Sequence, residues 1–427
     1  MNKIAFRNLF LIWLAWVLIV IGFQALATAR LQPQWPDRAQ EWTEDFTDKS
    51  KYQLGHAYLL DPFMNDQVAW DSEYYLGTAT GGFDDPRIPH LTLNGVLIPA
   101  NESTPLKDSY SVSYAFFPLY SWMIWLIAWP LKILGLNPIA TSTLAGVIVS
   151  ALGTLGAMLA LYDLTKDSLG EDGAMRTIFY LLIFPTGFFL LQVYTEGLFV
   201  GLAFSCLAML KRGNWIYAAL LGAAATLTRA VGITLVIPMA ITWIRTGEWM
   251  ELDLEWRQIL LQGIPWRTLG KALLAFAPLV AFLVWKFSYL GFAFDYIETN
   301  YFGRGALQLG FAFFAWSEAF KSMFIGNPER TAYFLTEFIG TAIGLVTCIA
   351  CLKYYPEIAW FSIAVFVISW ASGPAQGIQR YILGAPAVFI MLARWGKNPV
   401  FDRAWTMFSL LLMGLEAMLF AFNYWVA

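Results

Sequence analysis

Short stretches of the sequence place carboxylates and arginines next to apolar segments, where they could support acid–base chemistry and the binding of an anion. The longest is WDSEYYLGTATGGF at residues 70–83, and the aromatic run YAFFPLYSW follows it at 114–122. A carboxylate held near a hydroxyl can act as a general base, and an arginine guanidinium matches phosphate oxygens in bidentate geometry. The ionisable candidates are Asp71, Glu73, Glu196, Arg229 and Arg380.

Asp71 is the candidate general base, because partial desolvation and a nearby acceptor hydroxyl are all that a carboxylate needs for that role. The alternative is a solvated or helix-capping residue that follows an interfacial tryptophan. Asp84 and Asp85 compete for the same role, although adjacent aspartates after two glycines and before a proline are typical of a turn. No metal or other cofactor is required, and Asp84 and Asp85 are where a divalent cation would bind.

Arg229 and Arg380 are the candidates for binding a phosphate, and simple snorkelling at helix ends is the alternative for both. Glu196 either orients a substrate or forms a structural ion pair with one of these arginines. Trp70 and Tyr74 offer flat rings on which a ligand can stack, but residues of an aromatic belt at the membrane surface need no function. The predicted substrate-binding residues are Trp70, Glu73, Tyr74, Glu196, Arg229, Gln379 and Arg380.

The composition excludes a soluble globular protein. Of the 427 residues 58% are hydrophobic, 17% are aromatic and only 13% are charged, which is typical of an all-α polytopic membrane protein. The net charge of -3 and the lack of a long basic run argue against a nucleic-acid partner. The three cysteines are too few for a disulfide framework, and two isolated histidines give little support to a zinc hydrolase.

About eleven segments meet the requirement of roughly 20 apolar residues for a membrane-spanning helix, although some are short. We interpret the whole chain, 1–427, as a single membrane domain without an internal repeat. The predicted spans lie near 9–29, 139–162, 176–193, 197–210, 215–229, 231–245, 269–288, 332–352, 356–372, 381–395 and 404–424.

Lys3 and Arg7 precede the first span, so the positive-inside rule keeps that end in the cytoplasm and makes 30–113 the first non-cytoplasmic loop. Segment 114–134 then decides the topology. If this segment spans the membrane, the later basic turns face outward. If it lies in the interface, or dips into the membrane and returns, these turns face the cytoplasm. The positive-inside rule favours the second arrangement. Segment 305–326 is interpreted as a second interfacial helix, because charges in mid-span would be expensive.

This topology opens several polar turns on the non-cytoplasmic face that the first loop also occupies. They are YTE at 194–196, TR at 228–229 and GPAQGIQR at 373–380. Ionisable residues at membrane turns are costly and are usually paired or functional. We therefore expect Asp71, Glu73, Glu196, Arg229 and Arg380 to line one cavity.

Several blocks of the sequence, taken together and in order, carry a resemblance to a known family. They are WDSEYY at 70–75, YAFFPLYS at 114–121, FPTGFFLLQVYTEGLF at 184–199, ATLTRAVG at 225–232 and QRYILGAPAVF at 379–389. The chain resembles the PIG-V-type (GPI mannosyltransferase 2-like) family of the GT-C superfamily of membrane glycosyltransferases. The blocks leave 245–330 and parts of the first loop uncovered.

The resemblance implies a GT-C-like fold with an active site on the non-cytoplasmic face. It implies a mannosyltransferase that uses a polyprenyl- or dolichyl-phosphate sugar and inverts the anomeric carbon, with a glycolipid or glycan hydroxyl as acceptor and Asp71 as catalytic base. Tyr74 stands where the family often has histidine, which bears on substrate details.

A transporter or flippase for a lipid-linked substrate is the alternative, but charges at one face and the lack of a repeat disfavour it. We expect a multi-pass protein of a prokaryotic plasma membrane with the site facing outside, or of the ER membrane in a eukaryote.

Overall fold

The computed structural model describes residues 3–31, 57–98, 108–246, 266–305, 307–325 and 328–426. These residues are predominantly helical, which confirms the predicted fold class. The α-helices are α1 (Lys3–Leu31), α2 (Ser72–Gly81), α3 (Pro118–Leu131), α4 (Pro138–Leu182), α5 (Glu196–Lys211), α6 (Trp215–Thr228), α7 (Val236–Arg245), α8 (Trp266–Ala275), α9 (Ala277–Lys286), α10 (Tyr289–Asn300), α11 (Leu309–Ile325), α12 (Pro328–Cys351), α13 (Pro356–Ala371), α14 (Ile378–Tyr381), α15 (Pro386–Trp395) and α16 (Pro399–Ala421).

In this part of the chain, α1, α4, α12 and α16 are long and apolar enough to cross a membrane, and α8 with α9 forms a further candidate bent by 45°. Shorter apolar helical segments account for most of the other predicted spans, so the total of about eleven remains a prediction. These segments are Trp215–Thr228, Ala230–Arg245, Pro356–Ala371 and Pro386–Trp395; a further one, Pro118–Leu134, lies in the stretch predicted to be interfacial.

The predicted spans 139–162 and 176–193 are the two arms of α4. The helix breaks at Gly170, whose φ of 72° and ψ of 177° are non-helical. The second arm ends at Leu182, eleven residues before the predicted boundary. Pro185 explains the early end, because proline has no amide hydrogen to donate and disfavours a helical conformation in the residue before it.

The irregular segment 183–195 that follows α4 is completely buried. Non-helical backbone is tolerated at membrane depth only where the protein itself satisfies its polar groups. Hydroxyl groups on α4 do so here: Thr154 donates to the Leu190 carbonyl at 2.7 Å, and Ser150 donates to the Gln192 carbonyl at 2.7 Å. Hydropathy could not reveal this segment, because its residues are as apolar as those of a helix.

Glycines allow α4 and α5 to cross at backbone contact. A Cβ atom added to Gly153 would lie 2.3 Å from the carbonyl oxygen of Gly197, and one added to Gly201 would lie 2.3 Å from the carbonyl oxygen of Gly153. Small residues are the usual means by which membrane helices approach this closely. The crossing fixes the start of α5 and hence the position of Glu196, its first residue.

The described part of the first loop is folded rather than extended. Helix α2 is buried from Ser72 to Ala79. A small antiparallel sheet follows, with strands β1 (His90–Thr92), β2 (Leu97–Ile98) and β3 (Ser109–Ser111) in the order β2-β1-β3. Strand β1 pairs His90 with Ile98 on one side and with Ser111 on the other. Residues 32–56 and 99–107 of the predicted loop lie outside the described residues.

Helices α3 and α11 correspond to the two segments predicted to lie in the interface. The 14 residues of α3 give a length of about 21 Å, which is shorter than the roughly 30 Å hydrocarbon core. On α11 the two charges that argued against a span form an ion pair, with Lys321 Nζ 2.7 Å from Glu318 Oε1. The interfacial position of both helices stays a prediction.

The basic turns that the sequence assigns to one face are connected to one another. Arg212 pairs with Asp163 at 2.7 Å, and Lys211 pairs with Asp167 at 2.8 Å. The other contacts join the remaining turns: Arg176 with Asp402 at 3.5 Å, and the Arg394 guanidinium over the Tyr354 ring at 3.7 Å. These turns therefore form one end of the molecule.

Candidate active site

Four ionisable side chains from distant parts of the chain meet in one cluster. Arg380 Nη1 lies 3.2 Å from Asp71 Oδ2, and Arg380 Nε lies 3.4 Å from Glu196 Oε1. The same Glu196 oxygen also pairs with Arg229. The structure thus brings together four of the five residues that the sequence predicts to line one cavity, namely Asp71, Glu196, Arg229 and Arg380, and these contacts do not include Glu73.

Asp71 is held by the backbone around it and not by a helix-capping bond. It occupies the N-cap position of α2, yet its side chain makes no capping hydrogen bond. The Tyr194 hydroxyl donates to the Ala69 carbonyl at 3.1 Å and accepts from the Asp71 amide at 3.3 Å. Trp70 has a left-handed φ of 52°, which is uncommon for a bulky residue and is typical of functional sites. These contacts leave the Asp71 carboxylate directed to Arg380.

Glu196 and Arg229 are placed by the ends of two helices. Glu196 begins α5 with its side chain only 2% exposed, and the positive end of the helix dipole favours an anion there. Arg229 follows the last residue of α6 in an extended conformation, with φ at -153°. Gly232 then turns the chain back on α6, since a Cβ atom at this position would lie 2.5 Å from the Thr226 nitrogen.

Arg380 is nearly buried, with 8% of its side chain exposed, in the short helix α14. Three aromatic rings surround its guanidinium, with Cζ 5.2 Å from the ring centre of Tyr194, 5.3 Å from that of Tyr381 and 5.5 Å from that of Phe189. Guanidinium groups interact favourably with aromatic faces at such distances. The rings and the two carboxylates together hold a cation away from water.

Arg304 and Tyr381 also belong to the cluster, although the sequence analysis does not identify them. Arg304 Nη1 donates to the Tyr381 hydroxyl at 2.8 Å, and the Arg229 guanidinium lies 4.7 Å from the Tyr381 ring centre. Within the described ranges Arg304 forms no ion pair with a carboxylate. The signal in the sequence was an arginine between two glycines, Gly303 and Gly305, in a region that no block of the resemblance covers.

Glu298 adds a second acid–base group beside the cluster. It is a half-buried residue near the end of α10, and its backbone carbonyl accepts from the Arg304 amide at 2.8 Å. Burial raises the pKa of Glu298 to about 7, Arg304 opposes the rise, and the negative charge of Asp71 adds to it. Its carboxyl group therefore titrates near neutral pH.

The other predicted binding residues contact neighbouring protein groups. The Trp70 ring meets Trp425 edge-on at 5.0 Å, and Tyr74 stacks on Phe116 at 4.8 Å. The Gln379 side chain donates to the Val426 carbonyl at 2.9 Å. Glu73 is buried, with 1% exposed. A role of Trp70, Glu73, Tyr74 and Gln379 in binding substrate stays a prediction.

Asp84 and Asp85 are engaged in contacts that stabilise the first loop. Asp84 accepts from the Tyr114 hydroxyl at 2.8 Å. Asp85 accepts from Arg87 Nε at 3.0 Å and Nη2 at 2.9 Å, and also from Tyr58. Although burial opposes it, these hydrogen bonds hold the pKa of Asp85 below its ordinary value. In the described part of the chain, no group of three or more His, Cys, Asp or Glu side chains is placed to hold a metal ion.

The cluster forms one wall of a cleft whose other wall is apolar. We call it the arginine cleft. Glu196, Arg229, Arg380 and Tyr381 line the polar wall. The apolar wall consists of Phe199, Val200, Val231 and Gly384. The cleft thus places paired charges next to an apolar surface.

Comparisons with known proteins give distant structural similarities. The chain is similar to ArnT from Cupriavidus metallidurans bound to undecaprenyl phosphate, with 14% identity and a TM-score of 0.46 over 87% of this chain and 73% of that one. It is also similar to the archaeal oligosaccharyltransferase AglB from Archaeoglobus fulgidus in complex with an inhibitory peptide and a dolichol-phosphate. That match has 13% identity and a TM-score of 0.44 over 94% of this chain and 56% of AglB. The chain thus spans little more than half the length of AglB. No protein-family model matches the chain, and no curated protein sequence matches it.

Proposed function

We propose that this protein is a membrane glycosyltransferase that transfers a sugar from a polyprenyl- or dolichyl-phosphate donor to an acceptor hydroxyl with inversion. The observation that carries the proposal is the contact of the Asp71 carboxylate with Arg380, which lines, together with Arg229, a cleft that is apolar on its other side. A lipid-phosphate sugar carries an apolar chain, then an anionic phosphate and then the electrophilic C1 carbon of the sugar. The cleft offers a complementary group for each.

In the reaction that we propose, Asp71 acts as the general base. It removes the proton of the acceptor hydroxyl while the hydroxyl oxygen forms a bond to C1 of the sugar. The bond between C1 and the phosphate oxygen breaks on the opposite side, which inverts C1, and the lipid phosphate leaves with the electron pair. Arg380, 3.2 Å from Asp71, fixes the orientation of its carboxylate.

The arginines supply the positive charge that stabilises the leaving phosphate, so the scheme requires no metal. Arg229 and Arg380 are already paired with Glu196 and Asp71. In the described ranges Arg304 instead donates to an uncharged hydroxyl, that of Tyr381. A guanidinium that forms no close ion pair within these ranges is available to an incoming phosphate. We therefore assign the first contact with the donor phosphate to Arg304, with Arg229 and Arg380 behind it.

The finer features of the proposal come from the family resemblance. They are a PIG-V-type enzyme, mannose as the sugar, a glycolipid or glycan acceptor, and a site on the non-cytoplasmic face of a prokaryotic plasma membrane. The connected basic turns at one end of the molecule support this orientation, because such turns favour the cytoplasm. Tyr74, stacked on Phe116, stands where the family often has histidine and marks a place where the sugar preference could differ.

The test is sugar transfer by the purified protein from labelled polyprenyl-phosphate mannose, and from the corresponding glucose and arabinose donors, to cell-lipid acceptors. We expect Asp71→Asn to lose on the order of a hundredfold in rate, as for removal of a general base. Asp84→Asn is the matched control, because Asp84 contacts Tyr114 in the same loop. Equal turnover by wild type and Asp71→Asn would exclude Asp71 as the base. Lack of turnover with every donor would favour transport of a lipid-linked substrate.

A further inference from the structure

A buried glutamate on α12 contacts the backbone that carries Arg380. Glu337 has no exposed surface, and its Oε1 accepts from the Gly377 amide at 2.6 Å. Its Oε2 accepts from the Gln379 amide at 3.1 Å. These amides are at the start of α14, which has only four residues and cannot hold its own geometry by helical hydrogen bonds. The carboxylate of Glu337 therefore fixes the chain one residue before Arg380.

A glycine makes this anchor possible. Gly377 has a φ of 75°, in the left-handed region that glycine enters without strain. The turn lets the amides of Gly377 and Gln379 point at the same carboxylate. Gly340, one turn along α12, leaves room for the approach, since a Cβ atom there would lie 3.2 Å from the Gln379 Cβ.

The same carboxylate is linked to the segment that carries Asp71. The Tyr333 hydroxyl donates to Glu337 Oε1 at 2.8 Å and accepts from Trp425 Nε1 at 3.0 Å. Trp425 meets the ring of Trp70 edge-on at 5.0 Å with an interplanar angle of 82°. Trp70 is the strained residue directly before Asp71. A continuous series of contacts thus joins the backbone of Arg380 to that of Asp71.

A buried carboxylate is costly unless its hydrogen bonds are satisfied. Glu337 meets that condition with two backbone amides and a hydroxyl. Glu416, another of the buried glutamates, does not meet it to the same degree, because its Oε2 has no hydrogen-bond partner among the described residues. The contrast indicates that the contacts of Glu337 are specific to the α14 turn.

We infer that Glu337 is a positioning residue that sets the approach of Arg380 to Asp71. It touches neither substrate nor the reacting atoms. It acts by holding the start of α14 and, through Tyr333 and Trp425, the backbone at Trp70. The inference rests on the proposed function for its kinetic readout but not for its structural one.

The test compares Glu337→Gln with Glu416→Gln in the full-length protein. The glutamine side chain keeps the size of glutamate but presents an NH2 group where a carboxylate oxygen accepted a hydrogen bond from a backbone amide. We expect faster hydrogen exchange in the peptide that contains residues 373–382, by about tenfold or more, in Glu337→Gln and not in Glu416→Gln. Unchanged exchange in Glu337→Gln would overturn the inference, whether or not transfer is detected.

The kinetic readout separates positioning from simple stabilisation. If Arg380 moves away, Asp71 loses the contact that orients it as a base, and kcat should fall by about tenfold while KM for the donor changes little. Faster exchange with an unchanged kcat would reduce Glu337 to a structural residue.

A second variant keeps the inference testable if Glu337→Gln does not fold. Tyr333→Phe removes one donor to Glu337, the acceptor of Trp425 and the weaker of the two acceptors of the Gly377 amide, and it leaves both amides bound to the Glu337 carboxylate. We expect the same two changes at smaller size. A wild type inactive with every donor would contradict the proposed function, and the exchange result would still decide whether Glu337 anchors α14.

Discussion

The guanidinium of Arg380 lies 3.2 Å from the carboxylate of Asp71, although 309 positions separate the two residues in the chain. The same guanidinium contacts Glu196 through a different nitrogen, at 3.4 Å. One arginine therefore fixes the relative position of two carboxylates that begin two helices. The cluster depends on the fork shape of this side chain and not only on its charge.

Arg380→Lys is therefore expected to impair transfer while keeping the charge. A single ammonium group cannot contact Asp71 and Glu196 with the geometry of separate guanidinium nitrogens. We expect a loss of at least about tenfold in kcat/KM, measured by sugar transfer, in line with hydrogen bonds between charged groups. Arg394→Lys, at the opposite end of the molecule, is the control. Wild-type kcat/KM in Arg380→Lys would show that the fork is not needed.

Arg304→Gln is expected to weaken binding of the donor phosphate. Losing a charge-assisted hydrogen bond costs about 1.5–3 kcal/mol, which corresponds to roughly 10- to 150-fold in Kd. The measurement is binding of polyprenyl phosphate without sugar to the protein in detergent. Arg245→Gln, whose arginine pairs with Glu357 far along the chain, is the control. Equal affinities of wild type and Arg304→Gln would remove Arg304 from the phosphate site.

Glu298 should make stability depend on pH. Its pKa in the folded protein, about 7, lies above the ordinary value of 4.5, so the folded state binds the proton more tightly. This tighter proton binding stabilises the folded state fully below about pH 4.5, and the stabilisation is lost as the pH rises through 7. Glu298→Gln has no such loss. The Tm of Glu298→Gln minus the Tm of wild type should be lowest near pH 4.5 and should rise to a plateau above pH 7. A difference in Tm that does not change with pH would contradict the assignment.

Gly153→Ala should destabilise the crossing of α4 and α5. The new methyl group would lie 2.3 Å from the Gly197 carbonyl oxygen, which is backbone and cannot rotate away. Gly156→Ala is the matched control on the same helix, because the nearest atom to its Cβ lies at 3.8 Å. We expect a Tm lower by several degrees for Gly153→Ala and little change for Gly156→Ala. A Tm for Gly153→Ala equal to that of its control would show that the helices can separate without cost.

The positions of Glu196, Arg229 and Arg380 could be predicted because costly charges at the ends of apolar segments leave few alternatives. The expectation that they lie near Asp71 followed from the predicted topology, which opens their turns on the same face as the first loop. Segment 183–195 could not be predicted, because burial in protein and burial in lipid require the same apolar residues. Arg304 was missed for a different reason: it stands in a loop whose approach to Tyr381 depends on tertiary contacts, such as that of the Gly305 amide with the Ser372 carbonyl at 2.9 Å.

The irregular segment between α4 and α5 has a consequence for how the protein is made. Turns within the segment satisfy some of its carbonyl groups, but those of Leu190 and Tyr194 accept from Thr154 and Ser150 of α4. A nascent chain that left the translocation machinery before these partners met would expose unsatisfied peptide groups to lipid, at several kcal/mol each. We therefore expect α4 and segment 183–195 to be released into the bilayer together, with their contacts already formed.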